Sequence, residues 1–333
     1  GGAYITAGVL IAPHPVTGAY NASWNRCQLA GGDKLRVRMM PPQHLGRYHA
    51  EAEEMGRNLP CAIVIGAPPG LMFSAASKVP YEADELEVAG AWQGKPLRVV
   101  RCKTIPVDVP ADAEIVIEGE VIAGVREDEG PFGEFTDGYV PVMKNHVFRV
   151  KAITRRRDAI FQVIEPGFHI EHLLIGGVAI AAGLEQHLKG FVPAVERVSV
   201  LDSGCGRLSA VVVLGPDHKP GDPVKAIMGA LSAVNLIKQV TVVDNDIDPW
   251  DEFQVQYAVA TRMRADRDIV VVPGARTDRS EPMKLGGTIA KYGFDATRHA
   301  EDRDDWTPAR APADAYRDAA PIIDAIRAGK RRI

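Results

Sequence analysis

Apolar and polar positions change rhythm about halfway along the chain. In the first half, residues 61–66 (CAIVIG) and 97–103 (LRVVRCK) are short apolar runs rich in valine and isoleucine. Residues 114–125 and 146–154 alternate apolar with polar, and 159–164 (AIFQVI) form another run. Such runs, punctuated by Pro110, Gly130, Pro131 and Gly138, predict strands. Only 45–56 reads clearly as a helix here. Many closely spaced strands predict a barrel. In the second half, 208–214 (LSAVVVL), 240–243 and 269–272 read as buried strands. Asp222-Pro223 predicts an N-cap and first helical position, followed at helical spacing by Val224, Ile227, Met228, Leu231 and Val234. A second helix is expected over about 250–262, and a third in the Ala- and Arg-rich tail from about 312. Strands alternating with helices predict an α/β layer. The expected division is therefore 1–165, barrel, and 166–333, α/β with a C-terminal helix.

Composition narrows the class. The 333 residues are 46% hydrophobic and 25% charged with net charge −4, the balance of an ordinary globular enzyme. Nothing favours nucleic acid or an anionic membrane as partner. Cys27, Cys61, Cys102 and Cys205 are scattered without a CxxC pair, which predicts free thiols and a cytoplasmic protein. No apolar run reaches the roughly 20 residues of a membrane span. The opening Gly-Gly-Ala-Tyr-Ile-Thr shows no signal-peptide pattern and starts abruptly in strand-like sequence, as if the chain's start were cut away.

Candidate chemistry is concentrated in a few strings. In Glu129-Gly-Pro-Phe-Gly-Glu134 two carboxylates bracket a turn, and paired carboxylates in different environments can split their pKa values. A solvated acidic turn beside Glu127 and Asp128 is the alternative. Asn21-Ala-Ser-Trp-Asn-Arg26 supplies an arginine that could hold one glutamate ionised or clamp a substrate carboxylate, or simply lie at the surface. Pro41-Pro42-Gln43-His44 leads into the first helix, where phosphate groups bind well. Asp84-Glu85-Leu86-Glu87-Val88-Ala89-Gly90 adds carboxylates. Asn21, His44 and Glu85 together offer O, N and O donors for a hard or borderline divalent ion, at spacings too wide for a recognisable motif. His169 and His172 suit pocket lining better than a metal. No GxGxxG fingerprint is present.

In this order, the strings resemble the UbiD family of reversible decarboxylases, whose signature is Glu-Gly-Pro-Phe-Gly-Glu. Asp246-Ile-Asp-Pro-Trp250, the stretch Val255–Arg262 and Lys291–Thr297 extend the likeness over nearly the whole chain. The family normally begins with an α/β segment of on the order of a hundred residues, which this sequence lacks. The resemblance implies a split β-barrel binding prenylated FMN, with Mn²⁺ on Asn21, His44 and Glu85, and K⁺ on backbone carbonyls of Ser74, Ala75 and Ser77. It implies catalytic roles for Arg26, Glu129 and Glu134, and puts Ser23, Gln43 and Lys291 near the flavin. The implied activity is (de)carboxylation of an aromatic, heteroaromatic or α,β-unsaturated acid, with Glu134 as proton donor. A flavin prenyltransferase would supply the cofactor, and the α/β half would form a homodimer or higher oligomer. A catalytically silent flavin-binding subunit and a split-barrel flavin oxidoreductase are the alternatives.

Overall fold

The computed structural model describes residues 2–81, 83–299, 309 and 311–329. Residues 1–296 form one compact unit and 297–333 a second. The fold is mixed α/β. Its first sheet is an open, curled half-barrel of eight antiparallel strands. Seven of its elements come early: β1 (Tyr4–Ile5), β2 (Val9–Pro13), β3 (Tyr20–Trp24), β4 (Cys27–Leu29), β5 (Lys34–Val37), α1 (His44–Glu54) and β6 (Leu59–Ile65). Then come α2 (Pro69–Ser74), α3 (Glu85–Gln93), the β7–β8 hairpin (Val99–Arg101, Asp108–Pro110), β9 (Ile115–Glu129), the β10–β11 hairpin (Phe132–Gly133, Tyr139–Val140) and β12 (Met143–Arg155). The order is β1-β4-β5-β12-β9-β6-β2-β3, so β1 and β3 are its edges.

Alternation along β2 explains how both faces of this sheet are buried. Leu10 and Ala12 point to the face covered by Leu45, Tyr48 and Ala52 of α1. Val9 and Ile11 point to the opposite face, against Leu71 of α2 and Leu86 and Ala89 of α3. With period 2 and apolar residues at every position, β2 has no solvent side. α1 begins where Pro41-Pro42 ends the strand direction. It sits so close to that segment that a Cβ at Gly46 would stand 2.2 Å from the Met40 carbonyl oxygen.

The second sheet has the order β13-β14-β15-β17-β16, from β13 (Val195–Val200), β14 (Ser209–Leu214), β15 (Gln239–Asp244), β16 (Ile269–Arg276) and β17 (Thr288–Ala296). β14, β15 and β17 run parallel, and the outer strands are antiparallel. One face packs on α4 (Ile170–Lys189) and α5 (Asp222–Ala233), the other on α6 (Glu252–Arg262). The last described helix is α7 (Ala313–Arg327).

Three expectations need correction. Residues 159–164 form no strand and leave Ile160 and Phe161 70% and 54% exposed. The Ile160 and Ile164 N–H groups donate to side chains, Glu114 Oε2 and Thr6 Oγ1, both at 3.1 Å, in place of a strand ladder. The helices α2 and α3 are present where only 45–56 reads clearly as a helix, because Pro69 and the Asp84 side chain start them: Asp84 accepts from the Leu86 and Glu87 N–H groups. The N-cap of α5 is Gly221 rather than Asp222, whose carboxylate instead accepts from the Lys219 N–H at 2.9 Å. No described helix is long and apolar enough to cross a membrane. The close approach at Gly46 yields a prediction: Gly46→Ala should destabilise the fold by about 1–3 kcal/mol through overpacking. A thermal melt coinciding with that of the parent chain would refute it.

Candidate active site

Arg26 leaves the β3–β4 turn, which is fixed by the Asn25 amide donating to the Arg38 carbonyl at 2.8 Å. Its guanidinium is almost fully consumed by carboxylates. Nε and Nη2 donate to the two oxygens of Glu129 at 2.9 and 3.1 Å, and Nη1 donates to Glu134 Oε1 at 2.7 Å. Glu129, at the end of β9, is 0% exposed. It also accepts from Asn145 Nδ2 at 2.8 Å and from the Tyr4 hydroxyl at 2.9 Å. Burial and then Glu129 push the Tyr4 phenol pKa up, keeping it a donor. Phe132 lies under Arg26, 4.3 Å from ring centroid to guanidinium carbon. Glu134 follows β10 and is pinned by its N–H donating to Gly138 across the hairpin at 2.8 Å. Its Oε1 also accepts from Arg38 Nη1 at 2.8 Å. Burial, then Arg26, lowers the Arg38 pKa. Glu129 is thus held on both oxygens, while Glu134 is held on one, with Oε2 free of donors among the described residues. The arrangement immobilises one carboxylate and leaves the other an oxygen that can exchange a proton with a ligand.

A second polar cluster begins at Asn21 on β3, five residues before Arg26 in the chain. Asn21 and the Ala22 N–H both donate to Glu85 Oε2, and His44 Nδ1 is 3.1 Å from Glu85 Oε1. β3 brings Asn21, the first residue of α1 brings His44 and the first residue of α3 brings Glu85. Burial, chiefly, pushes the Glu85 carboxyl up to about 7. Burial and then Arg47 and Lys78 lower the His44 pKa, keeping its ring neutral and able to donate a lone pair. Ser23 Oγ lies 3.2 Å from Asn21 Oδ1 and 2.8 Å from Asn25 Oδ1.

The remaining residues singled out from sequence fall as follows. Gln43 is the N-cap residue of α1, its side chain making no cap bond. Ser74, Ala75 and Ser77 lie at the C-terminal end of α2, joined to the donor set by Ser74 Oγ donating to the Glu85 carbonyl at 2.6 Å. Lys291 stands apart. It is on β17, its ammonium donating to the Leu231 and Val234 carbonyls at 2.9 and 3.2 Å, so its contacts cap α5. His169 caps α4. His172 Nδ1 accepts from the Gly167 N–H at 3.2 Å, and burial and then Arg207 lower its pKa to about 4. Glu127 pairs with Lys34 and Arg36 instead of facing solvent freely. All four cysteines are free. Sequence reading missed Tyr4, Arg38, Asn145 and Arg207. Arg38 carried a signal in the alternation Arg36-Val37-Arg38, which repeats on one face of a strand; the other three carried none.

Comparison with known proteins adds a family. Residues 1–169 match the 3-octaprenyl-4-hydroxybenzoate carboxy-lyase Rift-related domain, and 173–296 match the C-terminal domain of the same carboxy-lyase. The anhydromevalonate phosphate decarboxylase of Methanothermobacter thermautotrophicus is 42% identical over 89% of this chain and 70% of its own length. The UbiD-class enzyme HmfF from Pelotomaculum thermopropionicum, solved with FMN, superposes with a TM-score of 0.90 at 38% identity, over 95% of this chain and 70% of that one. An evolved dimeric form of it, solved with prFMN, gives 0.84 at 36%, over 94% and 69%.

The Glu85 carboxyl generates a prediction with a definite sign. Its folded pKa, about 7, exceeds the ordinary 4.5. Between those values the folded chain holds a proton that the unfolded chain has released, so cation-free stability falls as pH rises through that window. Glu85→Gln keeps the acceptor for Asn21 and Ala22 and removes the charge. With chelator present, the variant should match the parent at acid pH and exceed it by roughly 2–3 kcal/mol above pH 7. Parallel urea-midpoint profiles for the two proteins would contradict this.

Proposed function

We propose that this chain, which belongs to the UbiD family of carboxy-lyases, catalyses the reversible decarboxylation of an aromatic, heteroaromatic or α,β-unsaturated acid with prenylated FMN. The carrying observation is the buried Arg26–Glu129–Glu134 cluster, together with Asn21, His44 and Glu85 meeting one another although they come from three separate elements. A catalytically silent flavin-binding subunit would have no use for a donor-free carboxylate oxygen beside an arginine.

The donor set fits the cation that the cofactor phosphate requires. Glu85 is a desolvated carboxylate that a divalent charge would stabilise as the anion, and His44 is neutral. Asn21, His44 and Glu85 would hold Mn²⁺, and carbonyls at the end of α2 (Ser74, Ala75, Ser77) would hold K⁺, where the helix dipole favours cations. Ser23 and Gln43 would line the flavin, and Lys291 would stiffen α5 behind it. When bound, prenylated FMN supplies the electron sink that loss of CO₂ from an sp² carbon needs and that no side chain can supply.

The chain's own residues do the rest. Arg26, anchored by Glu129, orients the substrate carboxylate for departure. Glu134 delivers a proton to the carbon that has lost CO₂, and takes one from it in the reverse direction. Phe132 and Phe135 flank Glu134 in sequence and are buried, which keeps bulk water from that carbon. We assign flavin binding by a split barrel to 1–165 and oligomerisation to 166–333, with a flavin prenyltransferase as cofactor supplier.

Two substitutions test the division of labour. Glu134→Gln should leave flavin and manganese content near parental values and lower turnover by about 10²–10⁴-fold, the range of general acid–base catalysis. Exchange of the product proton with deuterium should fall in step. His44→Ala should instead lower flavin and manganese content together, by about 10–100-fold in affinity. Parental exchange rates in fully loaded Glu134→Gln would remove Glu134 from the mechanism.

A further inference from the structure

Three guanidiniums surround the carboxylate pair, and they are not equivalent. Arg26 is bonded to both glutamates and Arg38 to Glu134. Arg207, from the turn before β14, has no carboxylate partner among the described residues. Nη2 donates to the His172 carbonyl at 3.1 Å, the guanidinium carbon lies 4.8 Å from the Phe135 ring centroid, and Nη1 is buried with no acceptor among the described residues. The fold makes room for this group: a Cβ at Gly176, on α4, would lie 2.6 Å from Nη2. Phe135 is the neighbour of Glu134 in the chain, and Glu134 is the carboxylate whose field opposes the lowering of the Arg207 pKa by burial.

A buried guanidinium without an anion is costly, because desolvation is not offset by a partner. Arginine also matches carboxylate and phosphate oxygens with paired N–H donors. The leaving carboxylate has Arg26. We propose that Arg207 receives a second anionic group of the substrate, a carboxylate or phosphate distal to the group lost as CO₂, and so selects dianionic acids. This rests on the decarboxylase reading of the same site and adds the substrate's charge class to it.

The test pairs cinnamate with 4-carboxycinnamate and with 4-(phosphonooxy)cinnamate, using holoenzyme. Each dianion should exceed the monoanion in kcat/KM by about 10–100-fold, the worth of a hydrogen bond to a charged group. Arg207→Gln should abolish that preference, bringing kcat/KM for the dianions down to that for the monoanion, and Arg207→Lys should restore part of it. The carboxylate and phosphate arms show which anion is preferred. Gly176→Ala, which displaces the guanidinium without removing it, should give the same selective loss if Arg207→Gln fails to fold. A second readout needs no turnover: inorganic phosphate at constant ionic strength should raise the melting temperature of the parent and not of Arg207→Gln. If no acid loses CO₂, the decarboxylase reading fails and the phosphate arm alone judges Arg207. Equal slowing of mono- and dianions by Arg207→Gln, or equal phosphate protection of both proteins, would overturn the proposal and leave Arg207 as a strut between Phe135 and α4.

Discussion

The need of one buried cation for partners organises the first half of this protein. Arg26 has N–H donors and no acceptor, so where the chain buries it those donors must find acceptors. Glu129 and Glu134 meet that need, and in doing so tie the β3–β4 turn to the end of β9 and the β10–β11 hairpin. Asn145 and Tyr4 complete the lone pairs of Glu129, drawing in β12 and the edge strand β1. A single ion cluster therefore joins strands that are far apart in the sheet order, and it makes Glu134 the member with an oxygen to spare.

The donor set shows the opposite balance. Glu85 has hydrogen-bond donors, and burial still pushes its carboxyl up to about 7. Apolar packing on both faces of the first sheet causes this: α1 and α3 are pressed against β2 and β3 from opposite sides, and their first residues, His44 and Glu85, meet at the sheet's edge. The buried carboxyl therefore contributes less stability as pH rises, because burial penalises its charged form.

The α/β layer reaches this region through the β10–β11 hairpin. Phe135 packs with Leu173 of α4 and Leu208, which precedes β14, and Thr136 Oγ1 donates to the Ser280 carbonyl. The same contact places Arg207 beside Phe135. Residues adjacent to Glu134 are thus held by elements of the α/β layer, which gives that layer a part in positioning the hairpin as well as in packing its own core.

Local chemistry was legible in the sequence. The runs at 61–66 and 208–214 became β6 and β14 because short, β-branched apolar segments have few other stable outcomes. Glu129 and Glu134 stood out as two carboxylates bracketing one turn, and it was the resemblance to a family that joined Arg26 to them. The tertiary structure decided whatever depends on what lies across a sheet. Residues 159–164 look like a strand and are not, because the side chains of Glu114 and Thr6 take the N–H groups of Ile160 and Ile164. Asp84 could be known as a cap only once α3 existed. Arg38, Asn145 and Tyr4 converge on the glutamates from 16 to 125 residues away, and Arg207 is stacked on Phe135 beside them. Contacts at such separations follow from strand order and burial, which no local pattern of residues encodes.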